Sequence, residues 1–147
     1  MKLCMKRFDE LTTRELHDIL KLRVDVFVVE QECFYPEVDG LDPESIHVYY
    51  LDDDGSIAAY LRVMDKHGEP GVAKIGRVIA AKRGCGLGRS VMEAGMNVAK
   101  DQFGATEVFL EAQVQAQGFY EKLGFTACSD VFDDAGIPHI AMRKLLT

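Results

Sequence analysis

The chain has 147 residues and a formal net charge of −7, with 48% hydrophobic and 28% charged residues. That is the length of one ordinary domain, with enough apolar material for a core and no compositional sign of long disorder. The acidic balance argues against a general nucleic-acid binder, which gains affinity by neutralising phosphates with Lys and Arg, and mildly favours cationic partners. No apolar run has the length of a membrane span, and the opening "MKLCMKRFDE" lacks the apolar centre of a secretory signal, so a cytoplasmic protein without a membrane partner is expected.

A first strand is expected at "KLCMKRF", which is short and partly alternating. Thr12-x-x-Glu15 is a capping-box signal, and Leu16, Ile19, Leu20, Val24 and Phe27 follow at helical spacing, predicting a helix from about Thr13 to about Val29. Arg23 interrupts that apolar stripe, which suits either a buried ion pair with Glu30 or Asp39 or a contact to substrate. "HVYYLD" and "SIAAYLRVM", joined by the turn "DDDG", read as an antiparallel hairpin. "VAKIGRVIA" is a further strand, in which Gly76 signals a bulge or a close backbone approach.

The stretch "KRGCGLGRSVMEAGM" places Gly84, Gly86 and Gly88 at the mouth of a helix, with Arg83 and Arg89 beside them. Glycine there serves a tight turn, a close approach to the backbone, or both. The first amides of a helix lack intrahelical acceptors and sit at the positive end of the macrodipole, so the stretch suits an anion such as a phosphate. The spacing fits neither the dinucleotide fingerprint nor a Walker loop. Leu87, Val91, Ala94 and Val98 then form one apolar stripe and Met92, Met96, Ala99 and Phe103 a second, a face wide enough to cover a sheet. "TEVFLEA" is a buried-looking strand, "QAQGFYEKL" a helix ending at Gly124, and "FTACSDVF", "DDAG" and "IPHIAM" a closing hairpin. Cys4, Cys33, Cys85 and Cys128 stand far apart, with no CxxC pair and no Cys/His cluster at zinc spacing, so free thiols and no metal are expected.

Arg83-Gly84-Cys85-Gly86-Leu87-Gly88 resembles the Arg/Gln-x-x-Gly-x-Gly/Ala signature of the GCN5-related N-acetyltransferases (GNAT), whose loop and helix hold the pyrophosphate of acetyl-coenzyme A. "AQVQAQGFYEKLGF" is similar to a later motif of that family, in which Gln113 stands where many members have Asn and Tyr120 where they have the tyrosine near the thioester sulfur. "LRVDVFVVEQECFYPEVDGLD", His47, "IGRVIA" and "GIPHIAM" further resemble the ElaA subgroup of bacterial GNAT proteins. The resemblance spans the chain and implies one GNAT-type α/β domain over residues 1–147, a mixed central sheet of about six to seven strands flanked by helices.

It further implies acetyl-CoA as cosubstrate, bound by Val78, Ile79, Ala80, Arg83, Gly84, Cys85, Gly86, Leu87, Gly88, Arg89, Gln113, Ala116 and Tyr120. The acceptor would be an amine on a small molecule or a peptide, with a homodimer left open. Such an amine is mostly protonated: with a pKa near ~10.4, about one molecule in a few thousand is neutral at pH 7, a cost of roughly 4.6 kcal/mol. Glu111, at the end of a central strand, is implied as the base acting through water, or is a solvated strand-end carboxylate. Tyr120 is implied as the acid for the leaving thiolate, or is an aromatic packing on the sheet. Arg23, Phe27, Glu30, Asp39, His47 and His139 are candidates for the acceptor side. The competing function is a non-catalytic acyl-CoA-binding regulatory module on the same scaffold.

Overall fold

A computed structural model describes residues 1–82 and 84–147; the predicted role of Arg83 lies outside the described residues. Among the described residues eight strands make one sheet: β1 (Lys2–Arg7), β2 (Ile46–Leu51), β3 (Ile57–Asp65), β4 (Val72–Ala80), β5 (Glu107–Gln113), β6 (Thr126–Ala127), β7 (Phe132–Asp134) and β8 (Ile137–Leu145). Their order is β1-β2-β3-β4-β5-β8-β6, with β7 also on β8. Three α-helices among the described residues flank it, α1 (Thr13–Val24), α2 (Leu87–Phe103) and α3 (Gln117–Lys122). One strand more than expected arises because "FTACSDVF" does not run as one strand. It breaks around Ser129, whose hydroxyl accepts the Ala141 amide at 3.0 Å and donates to Asp130 O at 2.9 Å.

Helix α1 starts on the predicted capping box, with the Glu15 amide donating to Thr12 Oγ1 at 3.1 Å and the Thr12 amide to Glu15 Oε1 at 2.8 Å. It continues into a wider, π-type turn over Asp25–Glu30, so the helical run ends where the spacing predicts. Its inward face differs: Ile19, Leu22, Val26 and Phe27 pack on Tyr49, Tyr60 and Ile79, and Arg23 points inward among them. Both stripes of α2 face the other side of the sheet, where Val91, Met92 and Ala99 are fully buried against Leu61, Val63 and Ile75. Tyr120 and Leu123 of α3 join that same core.

All neighbouring strands run antiparallel except β4 and β5, which the crossover through α2 makes parallel. Their pairing stops after Val72/Glu107, Ala73/Val108 and Lys74/Phe109. Beyond that point β4 stays paired only to β3, as far as Ala80, and β5 only to β8, as far as Gln113/His139. The sheet therefore divides down its middle, leaving inner backbone groups of two strands without ladder partners. Opposite the split, β4 bulges: Tyr60 pairs Ile79 and Arg62 pairs Gly76, so Leu61 faces both Arg77 and Val78. The bulge predicted from Gly76 is thus realised one residue later, at Arg77, whose φ is +55°.

Candidate active site

The split opens into a cleft of about 550 Å³, within the usual range for a small-molecule site. Val78, Ile79 and Ala80 line one wall, Leu110, Glu111, Ala112 and Gln113 the other, and Ala116 and Tyr120 reach it from the α3 region. Phe27, Glu30, Asp39 and His139 also line it, on segments after α1 and on β8. Predicted residues from four separated parts of the sequence therefore meet in one cavity.

At the start of α2 the three glycines divide their work. Gly84 (φ +79°) and Gly86 (φ +74°) occupy left-handed backbone and turn the chain into the helix. Gly88 does not. A Cβ there would lie 3.2 Å from the Phe119 ring and 3.8 Å from the Ala80 methyl, so this glycine lets α2 and α3 approach. The first intrahelical bond runs from the Ser90 amide to Gly86 O at 3.0 Å, which leaves the Leu87, Gly88 and Arg89 amides without intrahelical acceptors. The Leu87 side chain is buried in the core, so only its backbone is available to a ligand. Arg89 is exposed and pairs with Glu93 at 3.0 Å; Cys85 is exposed on the loop.

The Tyr120 ring packs edge-on against Phe119 (5.0 Å between centroids) and Phe125 (6.0 Å) and is 8% exposed. Among the described residues no group hydrogen-bonds its hydroxyl, and burial pushes its pKa up to about 12. Glu111 Oε1 accepts from Lys74 Nζ at 2.8 Å across the point where β4 and β5 part. His139 stacks on Phe132, and its Nδ1 lies 2.7 Å from Ile137 O. A carbonyl only accepts, so Nδ1 carries the hydrogen and the neutral ring keeps an open lone pair on Nε2. The Gln113 amide donates to Gln31 Oε1 at 3.1 Å, joining the end of β5 to the segment after α1.

Two predicted residues sit elsewhere. Arg23 is fully buried, and its partners are Glu37 (2.7 Å) and Asp42 (2.6 Å), not Glu30 or Asp39. The reason is geometric: Arg23 is on the inward face of α1, whereas Glu30 has already turned to solvent. His47 is fully buried too. Its Nε2 donates to Asp42 O at 3.1 Å, so its Nδ1 accepts from the Tyr60 hydroxyl at 2.7 Å; burial lowers its pKa and keeps it neutral. Arg62 completes the cluster, bonding Asp39 and, at 2.9 Å, Asp42. Burial pushes the Asp42 carboxyl up, but Arg23 and Arg62 outweigh it and hold the group below its ordinary value.

Sequence reasoning passed over Tyr35, Glu37, Arg62, Lys74 and Arg77. The available signal was charge inside apolar runs, Arg62 in "IAAYLRVM" and Arg77 in "VAKIGRVIA", since a buried cation demands a partner. Glu37, Asp39 and Asp42, in a stretch with no helical or strand period, supply the matching carboxylates.

The family model described as Acetyltransferase (GNAT) domain matches residues 16–146. The chain is 39% identical over 141 residues to a UPF0039 protein of Schizosaccharomyces pombe, covering 94% of this chain and 93% of that protein. It is 34% identical over 139 residues to the protein ElaA of Escherichia coli, covering 92% and 90%. Among solved structures, an acyl-CoA N-acyltransferase from Pseudomonas aeruginosa superposes with a TM-score of 0.89 at 40% identity, over 98% of this chain and 99% of that one. The Escherichia coli ElaA crystal structure also gives 0.89, at 32% identity over 97% and 98%. With its divided sheet, its glycine-turned helix start and these likenesses, the chain belongs to the GNAT family of acetyltransferases, alongside ElaA.

Proposed function

We propose that the protein is an acetyl-CoA-dependent N-acetyltransferase that moves the acetyl group to an amine by direct attack on the thioester. The observation that carries this reading is the cleft where β4 and β5 part, because it combines unpaired strand backbone with the hydroxyl of a mostly buried tyrosine, Tyr120, that has no hydrogen-bond partner among the described residues. An extended amide-bearing chain such as pantetheine fits between two such strands as a further strand would. The free amides of Leu87 to Arg89 suit its pyrophosphate. Likeness to an acyl-CoA N-acyltransferase of Pseudomonas aeruginosa supports an acyl-CoA cosubstrate.

The chain's own groups account for each chemical demand. Backbone amides at the bulge, near Val78 and Ile79, supply donors for the tetrahedral oxyanion. Proton removal from the amine falls to His139 through its open Nε2 or to Glu111 through water. His139 has the advantage, since Lys74 already occupies one Glu111 oxygen. Tyr120 faces the departing sulfur. Burial raises its pKa to about 12, so full transfer of its proton to a thiolate whose conjugate acid lies near ~8.5 is uphill, and its hydroxyl stabilises that thiolate by donating a hydrogen bond.

The test is a screen of amine acceptors that follows CoA release from acetyl-CoA. Amine-dependent release supports the reading. Tight acetyl-CoA binding with no release over small amines, peptide N-termini and lysine side chains would return the protein to an acyl-CoA-binding module.

A further inference from the structure

Arg77 holds a conformation that its side chain does not favour. Its φ of +55° forms the bulge in β4, a place where glycine or asparagine would sit with less strain. What the guanidinium gains there is a set of contacts with the irregular segment between the helical run of α1 and β2. Its Nη2 donates to Glu37 O at 3.1 Å and to Asp39 Oδ2 at 3.3 Å. Its Nε lies 2.7 Å from Glu37 Oε1, a charge contact without the alignment of a hydrogen bond. Its Cζ stands 5.5 Å over the Tyr35 ring, and the Tyr35 hydroxyl donates to Glu37 Oε1 at 3.0 Å.

Three arginines from three elements hold this segment. Arg23 of α1 and Arg62 of β3 are buried and tie Glu37, Asp39 and Asp42 to the body of the protein. Arg62 and Arg77 both line the cleft, but of the three arginines Arg77 is the partly exposed one and grows from the bulge itself. Cys33, Tyr35 and Asp39 of the held segment line the same cleft.

We infer that Arg77 is a positioning residue that clamps the acceptor-side wall of the cleft, residues 33–39, against the β4 bulge that receives the thioester. The inference rests on the acyl-transfer reading above and assigns a role within it. It explains why a strained arginine is kept where the backbone alone would prefer glycine. The clamp spans the two halves of the site, so its loss displaces the amine relative to the acyl carbon and leaves the CoA-binding end of the cleft untouched.

The glycine variant separates backbone from side chain. Arg77→Gly relieves the strain and removes the clamp. We expect kcat/KM for a productive amine to fall about tenfold to a hundredfold, the penalty of a misplaced reactant, mainly through kcat, with acetyl-CoA affinity unchanged. Arg77→Lys, which keeps charge but not the fork, should recover part of the loss. Hydrogen exchange at the amides of residues 33–42 should quicken in Arg77→Gly. Wild-type kinetics together with wild-type exchange in Arg77→Gly would overturn the inference. Should the wild-type protein bind acetyl-CoA and acetylate no amine, the acyl-transfer reading fails, and exchange still decides the clamp: unchanged protection overturns it.

Discussion

Replacing Tyr120 by Phe removes one oxygen from a place where its absence can be read cleanly. The ring contacts with Phe119 and Phe125 remain, and no hydrogen bond within the described residues is lost. Folding stability should therefore change by no more than ~0.5 kcal/mol. The hydroxyl's pKa of about 12 keeps it protonated throughout the range from pH 6 to about 9. A proton moving fully from such an acid to a thiolate of ~8.5 would climb roughly 3.5 pK units, so the available gain is that of a charge-assisted hydrogen bond, about 1.5–3 kcal/mol. That predicts a fall in kcat of about tenfold to a hundredfold. The loss should appear in kcat more than in KM, because the charge on sulfur exists only as the bond breaks. Steady-state kinetics on the folded variant, with acetyl-CoA affinity measured by titration calorimetry, provide the assay. Saturated rates equal to wild type across that pH range would show that Tyr120 only packs.

Other perturbations probe separate parts of the structure. Gly88→Asp adds a carboxylate beside the open α2 amides and presses on Phe119, so acetyl-CoA affinity should drop about tenfold or more, or about 1.4 kcal/mol, in calorimetry. Gly88→Ala, which only nudges a ring that is 37% exposed, should cost clearly less, and equal losses would assign the effect to helix packing. Arg23→Met leaves Glu37 and Asp42 buried with one cation fewer and should lower unfolding free energy by about 3–5 kcal/mol in denaturant titration. Unchanged stability with a raised acceptor KM would instead make Arg23 a substrate contact. Lys6, the Thr12 amide and Tyr49 hold the Glu15 pKa down to about 2 from 4.5. A depressed folded-state pKa gives stability that is present above about 4.5 and lost as pH falls toward 2, so the deficit of Glu15→Gln should be largest at neutral pH and shrink through that window. A deficit independent of pH would contradict this.

Most of the fold was legible because its elements announce themselves locally. The capping box at Thr12, the two stripes of α2 and the nine residues of "VAKIGRVIA" each became the element expected of them. The last hairpin was less legible, since a side-chain hydroxyl at Ser129 competes with ladder pairing in a way that composition does not reveal. The GNAT-like residues of the cleft were found through their resemblance. The charge cluster was not, because its pairs join residues 14 to 40 positions apart and depend on which face of α1 turns inward. Arg23 shows the limit well: its presence in an apolar stripe suited a buried pair and a substrate contact equally, and only the fold chose the pair, with Glu37 and Asp42 as partners. Gly88 shows another, since a glycine in a binding signature proved to face Phe119 and Ala80.

In the proposed reaction the cleft between β4 and β5 passes an acetyl group from a thioester to an amine nitrogen. Acetyl-CoA carrying isotopic label in its acetyl group, incubated with the protein and an amine that elicits CoA release, tests it directly by mass spectrometry. The label should move to the amine as an amide, in step with free CoA, and Tyr120→Phe should slow the transfer. Label that stays in the thioester, or leaves as free acetate while the amine remains unmodified, would contradict it.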